Sequence, residues 1–483
     1  MIKASDLEFV RMDESHVRIP KQGKMRVDGI LCADETIMKG LAGDQSPVQV
    51  ANVAQLPGII KYSLAMPDIH WGYGFPIGGV AAFDLSEGVV SPGGVGYDIN
   101  CGVRLIRSEL EKKDLEGKVA QIVSALFSSI PSGVGSKGPI KLSAHEERDV
   151  LSQGAAWAVG QGFGEKEDLT HIEEGGKMGG ANPEVVSPKA KERGRPQLGT
   201  LGSGNHFVEI DYVAEIYDEA VARVFGLFKD QVVIQVHTGS RGLGHQVCDD
   251  YIRVLSEAAR KYKIELPDRQ LCCAPIDSKE GREYLGAMAA AVNYAFANRQ
   301  IITHWVRESF SQALGQAPGK IGLSLVYDVA HNIAKIETHT VEGRERKVCV
   351  HRKGATRAFP AGHPAVPEDY RKVGQPVLIP GDMGRESFVL VGTPRAMEES
   401  WGSACHGAGR VMSRTEAIKR ARGRSIAREL EDLNIVVMAS SRETLSEEMP
   451  EAYKEVANVV DCVQAAGIAR KVARLKPMGV IKG

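Results

Sequence analysis

Asp98 and Cys101 stand three residues apart in SPGGVGYDINCGVRL, Ser91–Leu105, where glycine is concentrated. A structural cysteine ordinarily packs in an apolar strand or helix, whereas Gly-rich backbone allows the main chain to approach a ligand closely, so this segment reads as part of a site. Three histidines share one setting: His206 precedes the strand-like run in LGSGNHFVEI, His237 ends VVIQVH, and His331 ends LSLVYDVAH. Each falls where a strand meets a loop, the place from which a rigid scaffold presents functional side chains. A thiolate, a carboxylate and three imidazoles are too many donors for one tetrahedral catalytic zinc site. If the five converge, they divide between two divalent ions with the thiolate shared, and such a pair suits phosphoryl chemistry because it stabilises both attacking and leaving oxygens.

CHGAGR, Cys405–Arg410, is the second chemical segment. Gly407 and Gly409 can turn backbone N–H groups toward an anion, and the helix expected just downstream favours negative charge at its start. His406 beside such a nest could attack a nucleotide α-phosphate, since an imidazole with a reference pKa of about 6.5 is available in neutral form near pH 7. A tight turn carrying an incidental histidine is the alternative reading.

Strand-like runs are expected at 78–85, 232–237, 323–331 and 375–380. Helices are expected over Arg282–Leu314, over Ser413–Leu433, where Ser413 and Glu416 form a capping-box signature, and from Glu451 to about Leu475. The strands are not regularly separated by crossover helices, which favours one large α+β domain over a doubly wound sheet. The 483 residues are 43% hydrophobic and 25% charged, values that exclude a disordered or fibrous chain, and the 53 glycines gather in short loops. Lys plus Arg (60) balances Asp plus Glu (61), so nucleic acid would need a local basic patch, such as Lys189, Lys191, Arg193 and Arg195 or Lys419, Arg420, Arg422 and Arg424. Eight dispersed cysteines, no signal peptide and no membrane-length apolar run predict a reducing, cytoplasmic setting, with Cys272 and Cys273 as packed free thiols.

Familiar nucleotide motifs are missing. There is no G-x-x-x-x-G-K-[ST] loop, and the nearest approach to the Lys-x-Asp-Gly ligase motif is RVDG at Arg26–Gly29. Arginine stays protonated and cannot act as the nucleophile, which favours histidine for any covalent nucleotide intermediate.

The segments MPDIHWGYGFPIGG (Met66–Gly79), GGVGYDINCGVR, LGTLGSGNHFVEI, VHTGSRGLGH, YDVAHNIAK, CHGAGR and the terminal GVIKG run in the order found in the RtcB RNA ligases, and the chain resembles that family from residue 66 to its end. The resemblance implies a single RtcB-like catalytic domain over 1–483, α+β with mixed sheets flanked by helices. It also implies GTP-dependent joining of an RNA 3′-phosphate, or a 2′,3′-cyclic phosphate after hydrolysis, to an RNA 5′-hydroxyl, in tRNA splicing or RNA repair. At matching positions, Asp98, Cys101 and His206 would hold one Mn²⁺ and Cys101, His237 and His331 a second. Affinity order does not select manganese at a site containing thiolate, so the metal's identity comes from the resemblance alone.

His406 would be the guanylylated nucleophile, with Asp68 in the same catalytic region. Asn205 and the backbone of Gly407, Ala408 and Gly409 would steady the phosphates. Pro380, Gly381, Asp382, Met383, Ser387 and Lys482 would surround the guanosine, and Glu209, Asn332, His206 and His331 would complete the nucleotide's surroundings. Arg241 and Arg414 are expected as RNA phosphate contacts. RNA, GTP and an archease-type activating protein are the implied partners. One departure stands out: a small hydroxyl residue is expected after IPG, yet this chain reads PGDMGRES, and the Asp382 carboxylate would repel a triphosphate unless it points away or meets a cation. A metal-dependent phosphodiesterase that never forms an adduct, and an RNA-binding factor with a decayed site, are the competing functions.

Overall fold

Strand Gln231–Thr238 is buried along its whole length, as its near-continuous apolar run requires of a strand covered on both faces. In the computed structural model, which describes residues 4–483, it pairs antiparallel with Gly102–Glu111 on one side and Phe207–Ile216 on the other. Ser324–Ala330 adds beyond Gly102–Glu111, while Ala469–Lys482, Ser387–Gly392 and Pro376–Ile379 continue beyond Phe207–Ile216. Val436–Ala439 joins Ala469–Lys482 in parallel and makes the sheet eight-stranded. A second sheet of seven strands runs from Val10–Arg11 through Ile59–His70, Ile77–Asp84 and Arg344–Lys353 to Asn332–Val341. The molecule is therefore α+β, with mixed sheets flanked by helices.

The expected strands occur at Ile77–Asp84, Gln231–Thr238, Ser324–Ala330 and Pro376–Ile379. The Ala-rich helix spans Lys279–Leu314. The Ser278 side chain accepts from the Gly281 N–H at its start, and Gly315 ends it at φ 61°, where the lack of a Cβ makes the left-handed cap inexpensive. Most of this helix is buried against the eight-stranded sheet's core.

Two expected helices are corrected. Ser413–Leu433 is broken into Arg414–Arg420 and Ile426–Asp432, with Gly423 at φ 80° between them. Ser413 does cap the first by accepting from the Glu416 N–H at 3.2 Å, while the Glu416 carboxylate turns to Arg420. The helix expected from Glu451 to Leu475 is only Val456–Ala465. Gly467 at φ 74° reverses the chain, and Ala469–Lys482 is a strand in the sheet centre. Its alternation of buried apolar and more exposed basic residues is a strand pattern that charge-rich composition disguises. Pro477 sits at a register shift, where its missing N–H is tolerated.

All eight cysteines are free and buried, Cys272 and Cys273 among them. No helix among the described residues is long and apolar enough to cross a membrane. Ser278→Ala removes the cap of the helix that underlies the main sheet and is expected to cost about 1 kcal/mol, read as a lower thermal unfolding midpoint.

Candidate active site

The four strands Ser324–Ala330, Gly102–Glu111, Gln231–Thr238 and Phe207–Ile216 are consecutive neighbours and antiparallel, so the start of one lies beside the end of the next. Cys101 immediately precedes the second, His206 precedes the fourth, His331 follows the first, and His237 closes the third opposite both Val103 and Phe207. Sheet register alone thus delivers four distant segments to one edge. Asp98 reaches the same point through a turn in which the Cys101 N–H donates to the Asp98 carbonyl, with Asn100 at φ 51°. Gly239 makes room for it, since a Cβ there would lie 2.5 Å from Asp98 Oδ1.

The donors form two triads, Asp98–Cys101–His206 and Cys101–His237–His331, whose ligand atoms lie within 4.8 Å of one another. Cys101 Sγ is 3.4 Å from His206 Nε2 and 3.3 Å from His237 Nε2, and His237 Nε2 is 3.3 Å from His331 Nε2. His206 Nδ1 donates to the Leu201 carbonyl at 3.0 Å, which leaves a lone pair on Nε2 in the neutral ring. That Nε2 faces Asp98 Oδ2 at 2.8 Å, a contact between two acceptors unless the ring is protonated or a cation lies between them. Burial holds His237 and His331 well below the ordinary histidine range, so both are neutral ligands at pH 7, and the Nδ1 atoms of both are buried without a protein partner. Burial and the Asp98 charge push the Cys101 thiol well up, so a thiolate there needs a cation beside it. Asp98 is held low: burial opposes this, but the His206 hydrogen bond and nearby His245 and Arg241 outweigh it. The donor set fits divalent metal and is poorly satisfied by protein alone.

Behind the donors, Arg299 donates to the carbonyls of Asn100 and Thr238, both at 2.8 Å, the residues adjoining Cys101 and His237. It also pairs with Asp328, three residues before His331, through two hydrogen bonds of 2.9 and 2.8 Å. Asn332 is committed as well, its Nδ2 to the Asp98 carbonyl and its Oδ1 to the Gly354 N–H, both at 3.0 Å.

His406 follows the short strand Ser403–Cys405, and its ring packs 4.7 Å from that of His331. Asp68, fully buried, accepts from His406 Nδ1 at 2.6 Å and from the His406 backbone N–H at 3.1 Å. The carboxylate can only accept, so Nδ1 carries the proton and Nε2 keeps its lone pair free. Gly409 allows this approach, because a Cβ there would lie 2.3 Å from the Asp68 carbonyl oxygen. Lys454 braces the Asp68 strand through the carbonyls of Pro67 and Ile69.

Next to His406 opens a cavity whose wall also includes His237. Asn205, Glu209, Lys482, the Pro380–Met383 loop and the Gly407–Gly409 turn line it. Ser387 does not; its hydroxyl accepts from the Gly381 N–H and shapes the loop from behind. His206, His331 and Asn332 also stand outside this lining, in or beside the metal donors. The Asp382 departure resolves, because its carboxylate meets Arg385, which also engages Glu455 and the carbonyls of Pro450 and Tyr453. Among the described residues Arg241 is buried near Asp98 without a salt bridge to a carboxylate, whereas Arg414 lies at the cavity, 3.6 Å from Glu448.

Sequence reasoning passed over Phe207, Arg410, Glu448 and Tyr453, which also line the cavity. Phe207 and Arg410 stood inside the motifs already singled out, while Glu448 and Tyr453 carried no local signal. Arg299→Lys keeps the charge but loses the fork that spans both metal-bearing loops. It is expected to weaken Co²⁺ binding roughly 10–100-fold, with loss of the thiolate-to-cobalt absorption band and an unchanged far-ultraviolet circular dichroism spectrum.

A family model described as tRNA-splicing ligase RtcB matches residues 49–483. The tRNA-splicing ligase RtcB of Thermococcus kodakarensis is 57% identical over 474 residues, 98% of each chain. That of Archaeoglobus fulgidus is 56% identical over 467 residues, 96% of this chain and 97% of the other. That of Nanoarchaeum equitans is 48% identical over 479 residues, 99% and 100%.

Proposed function

We propose, from the premise that the chain belongs to the RtcB tRNA-splicing ligase family, that it is a GTP-dependent RNA ligase acting in tRNA splicing or RNA repair. It would join an RNA 3′-phosphate, or a 2′,3′-cyclic phosphate after hydrolysis, to an RNA 5′-hydroxyl. The observation that carries this reading is His406: its Nδ1 is held by Asp68, and its ring stands between the cavity lined by Asn205, Lys482 and the Gly407–Gly409 turn and the candidate metal donors.

In the first step His406 Nε2 attacks the α-phosphorus of GTP. A P–N bond forms and pyrophosphate leaves with the electrons of the broken P–O bond. The imidazole gains positive charge as it does so, and the Asp68 carboxylate at 2.6 Å stabilises that charge while fixing the ring's direction. In the second step an oxygen of the RNA 3′-phosphate attacks the same phosphorus, the P–N bond breaks, and His406 returns to its starting form. In the third, the 5′-hydroxyl oxygen attacks the RNA phosphorus, GMP departs, and the hydroxyl proton is lost as the 3′,5′-phosphodiester forms. Two divalent ions, manganese in this reading, held by Asp98, Cys101 and His206 and by Cys101, His237 and His331, would supply neutralisation of the phosphate oxygens. Asn205, the Gly407–Gly409 backbone, Arg410 and Lys482 would steady the nucleotide, and burial lowers the proton affinity of Lys482 without leaving it unpaired. An archease-type activator belongs to the same reading.

Incubation with α-labelled GTP and Mn²⁺ followed by denaturation tests the first step. Acid-labile label is expected on the wild-type protein and none on His406→Ala. Asp68→Asn, which loses the carboxylate but keeps the volume, is expected to slow labelling at least about 100-fold. Cys101→Ala is expected to abolish both labelling and RNA joining. RNA cleavage by a wild-type protein that never takes label would replace this reading with the phosphodiesterase.

A further inference from the structure

Tyr73 lies in the connection between strands Ile59–His70 and Ile77–Asp84, and Tyr97 directly precedes Asp98. Glycines bring these two loops into contact. A Cβ on Gly74 would lie 2.6 Å from the Gln270 carbonyl oxygen and 3.1 Å from the Gly93 Cα, and a Cβ on Gly93 would lie 2.5 Å from the same carbonyl oxygen. The Phe75 N–H then donates to the Gly93 carbonyl, and Lys353 Nζ ties the carbonyls of Tyr73 and Gly93 together. The result is a row of rings. Tyr73 and Tyr97 meet edge to face with centroids 5.4 Å apart at 69°, and Tyr97 continues to His245 of helix Arg241–Lys261, 5.7 Å away and tilted by 33°.

Core packing does not account for this row. Neither tyrosine belongs to the apolar clusters, both are half-buried, His245 is exposed, and among the described residues neither phenol hydroxyl has a hydrogen-bond partner. Its position is specific: it adjoins Asp98, whose carboxylate is 2.8 Å from His206 Nε2, whereas the nucleotide cavity opens at His237 and His406 and includes none of the three rings. Arg193 borders it, lying against Gly242 at the start of the His245 helix, while Lys353 beneath Tyr73 is buried and holds the two loops together through their carbonyls. Half-exposed aromatic faces flanked by basic side chains are how proteins hold single-stranded nucleic acid, because every base has a face that stacks.

We propose that Tyr97, backed by Tyr73 and His245, is a stacking platform for a nucleobase at an RNA end presented to the metal donors. This rests on the ligase reading for the identity of the nucleic acid. Stacking on Tyr97 would hold the terminal nucleotide on the Asp98 flank, while the guanosine cavity is approached from the His406 flank. It would act on any base, in keeping with a platform that offers no hydrogen-bonding groups besides two phenols and an imidazole.

The test is fluorescence titration of the full-length protein in Mn²⁺ with two RNA oligonucleotides. One carries 2-aminopurine at a 3′-phosphate terminus and the other at a 5′-hydroxyl terminus. Quenching of at least one probe is expected, and which one identifies the end that is held. Tyr97→Leu is expected to lose that quenching and bind the RNA roughly tenfold more weakly, while Tyr97→Phe, which keeps the ring, restores both. RNA with an abasic residue at the responsive terminus is expected to bind wild type and Tyr97→Leu alike, which separates lost stacking from a general disturbance of the loop. Absence of quenching with both probes in wild type, or equal losses on normal and abasic RNA, overturns the platform. Labelling of the wild-type protein by GTP is measured separately: no label with intact quenching would end the ligase reading and leave the platform standing.

Discussion

The Asp328 carboxylate is shared by two guanidiniums, all three side chains fully buried: Arg104 approaches one oxygen at 2.7 Å, and Arg299 takes both at 2.9 and 2.8 Å. Burying such a group is costly unless the remaining donors are satisfied. Here Arg104 also reaches Gln300 and Thr303 through Nη1 while its Nη2 is left buried without a hydrogen-bond partner among the described residues; Gln300 continues to Asp168, and Asp168 receives both terminal nitrogens of Arg307 at 2.7 Å. The network therefore runs from the long helix through the sheet to the loops that carry Cys101 and His237. Its free energy is not chiefly a gain in stability, since well-packed apolar residues often do as well; what it supplies is position. Removing Asp328 would leave two buried guanidiniums without their shared carboxylate at a cost of about 3–5 kcal/mol, so the network holds the donor-bearing loops in place.

The cavity beside His406 repeats this logic around Glu448. Glu448 receives Arg410 at 3.2 Å, Arg414 at 3.6 Å and Lys482 at 4.0 Å, while Asp382 is answered by Arg385. Burial and then the neighbouring Asp211 push the Glu209 carboxyl of the same lining well up, so the three cations around Glu448 leave the wall with excess positive charge, and the Arg385 pair removes the repulsion that Asp382 would otherwise add. An anionic ligand thus enters a region whose cations are already held in place by a buried acid, which lowers the ordering cost of binding.

Much of the site was legible in the chain because its residues cluster in short Gly-rich segments next to strand-like runs: Asp98 and Cys101 three apart, His206 before a strand, His237 and His331 at strand ends. Their convergence was not legible, because it depends on which strands are neighbours, and antiparallel adjacency between residues 102, 237 and 330 is a property of the whole sheet. Asp68 could be located by its motif, but its contact with His406 spans 338 residues. Arg299 lies in an Ala-rich helix whose buried polar residues, Asn293, Asn298, Gln300 and Thr303, show no motif in the sequence, and nothing local marks a buried arginine as a support for metal ligands. The misplaced helix at the C-terminus has a different cause. Ala469–Lys482 carries many charged residues of good helix propensity, and only its neighbours in the sheet centre override that preference.

In the proposed reaction one imidazole must meet two substrates in turn, and the geometry constrains how. His406 Nδ1 is bound to Asp68, its backbone N–H is bound to the same carboxylate, and its ring lies 4.7 Å from His331. Rotating the ring toward a second site would break the Nδ1 hydrogen bond and leave Asp68 Oδ2 with only the His406 backbone N–H, so the ring stays where it is while GTP and then the RNA 3′-phosphate come to it. A fixed nucleophile needs approaches from more than one direction, which here are the cavity walled by Pro380–Met383 and the flank marked by Asp98. Guanylyl transfer then requires movement of substrates and not of a domain, which is how a chain without a separate nucleotide-binding lobe could carry out all three steps around one histidine.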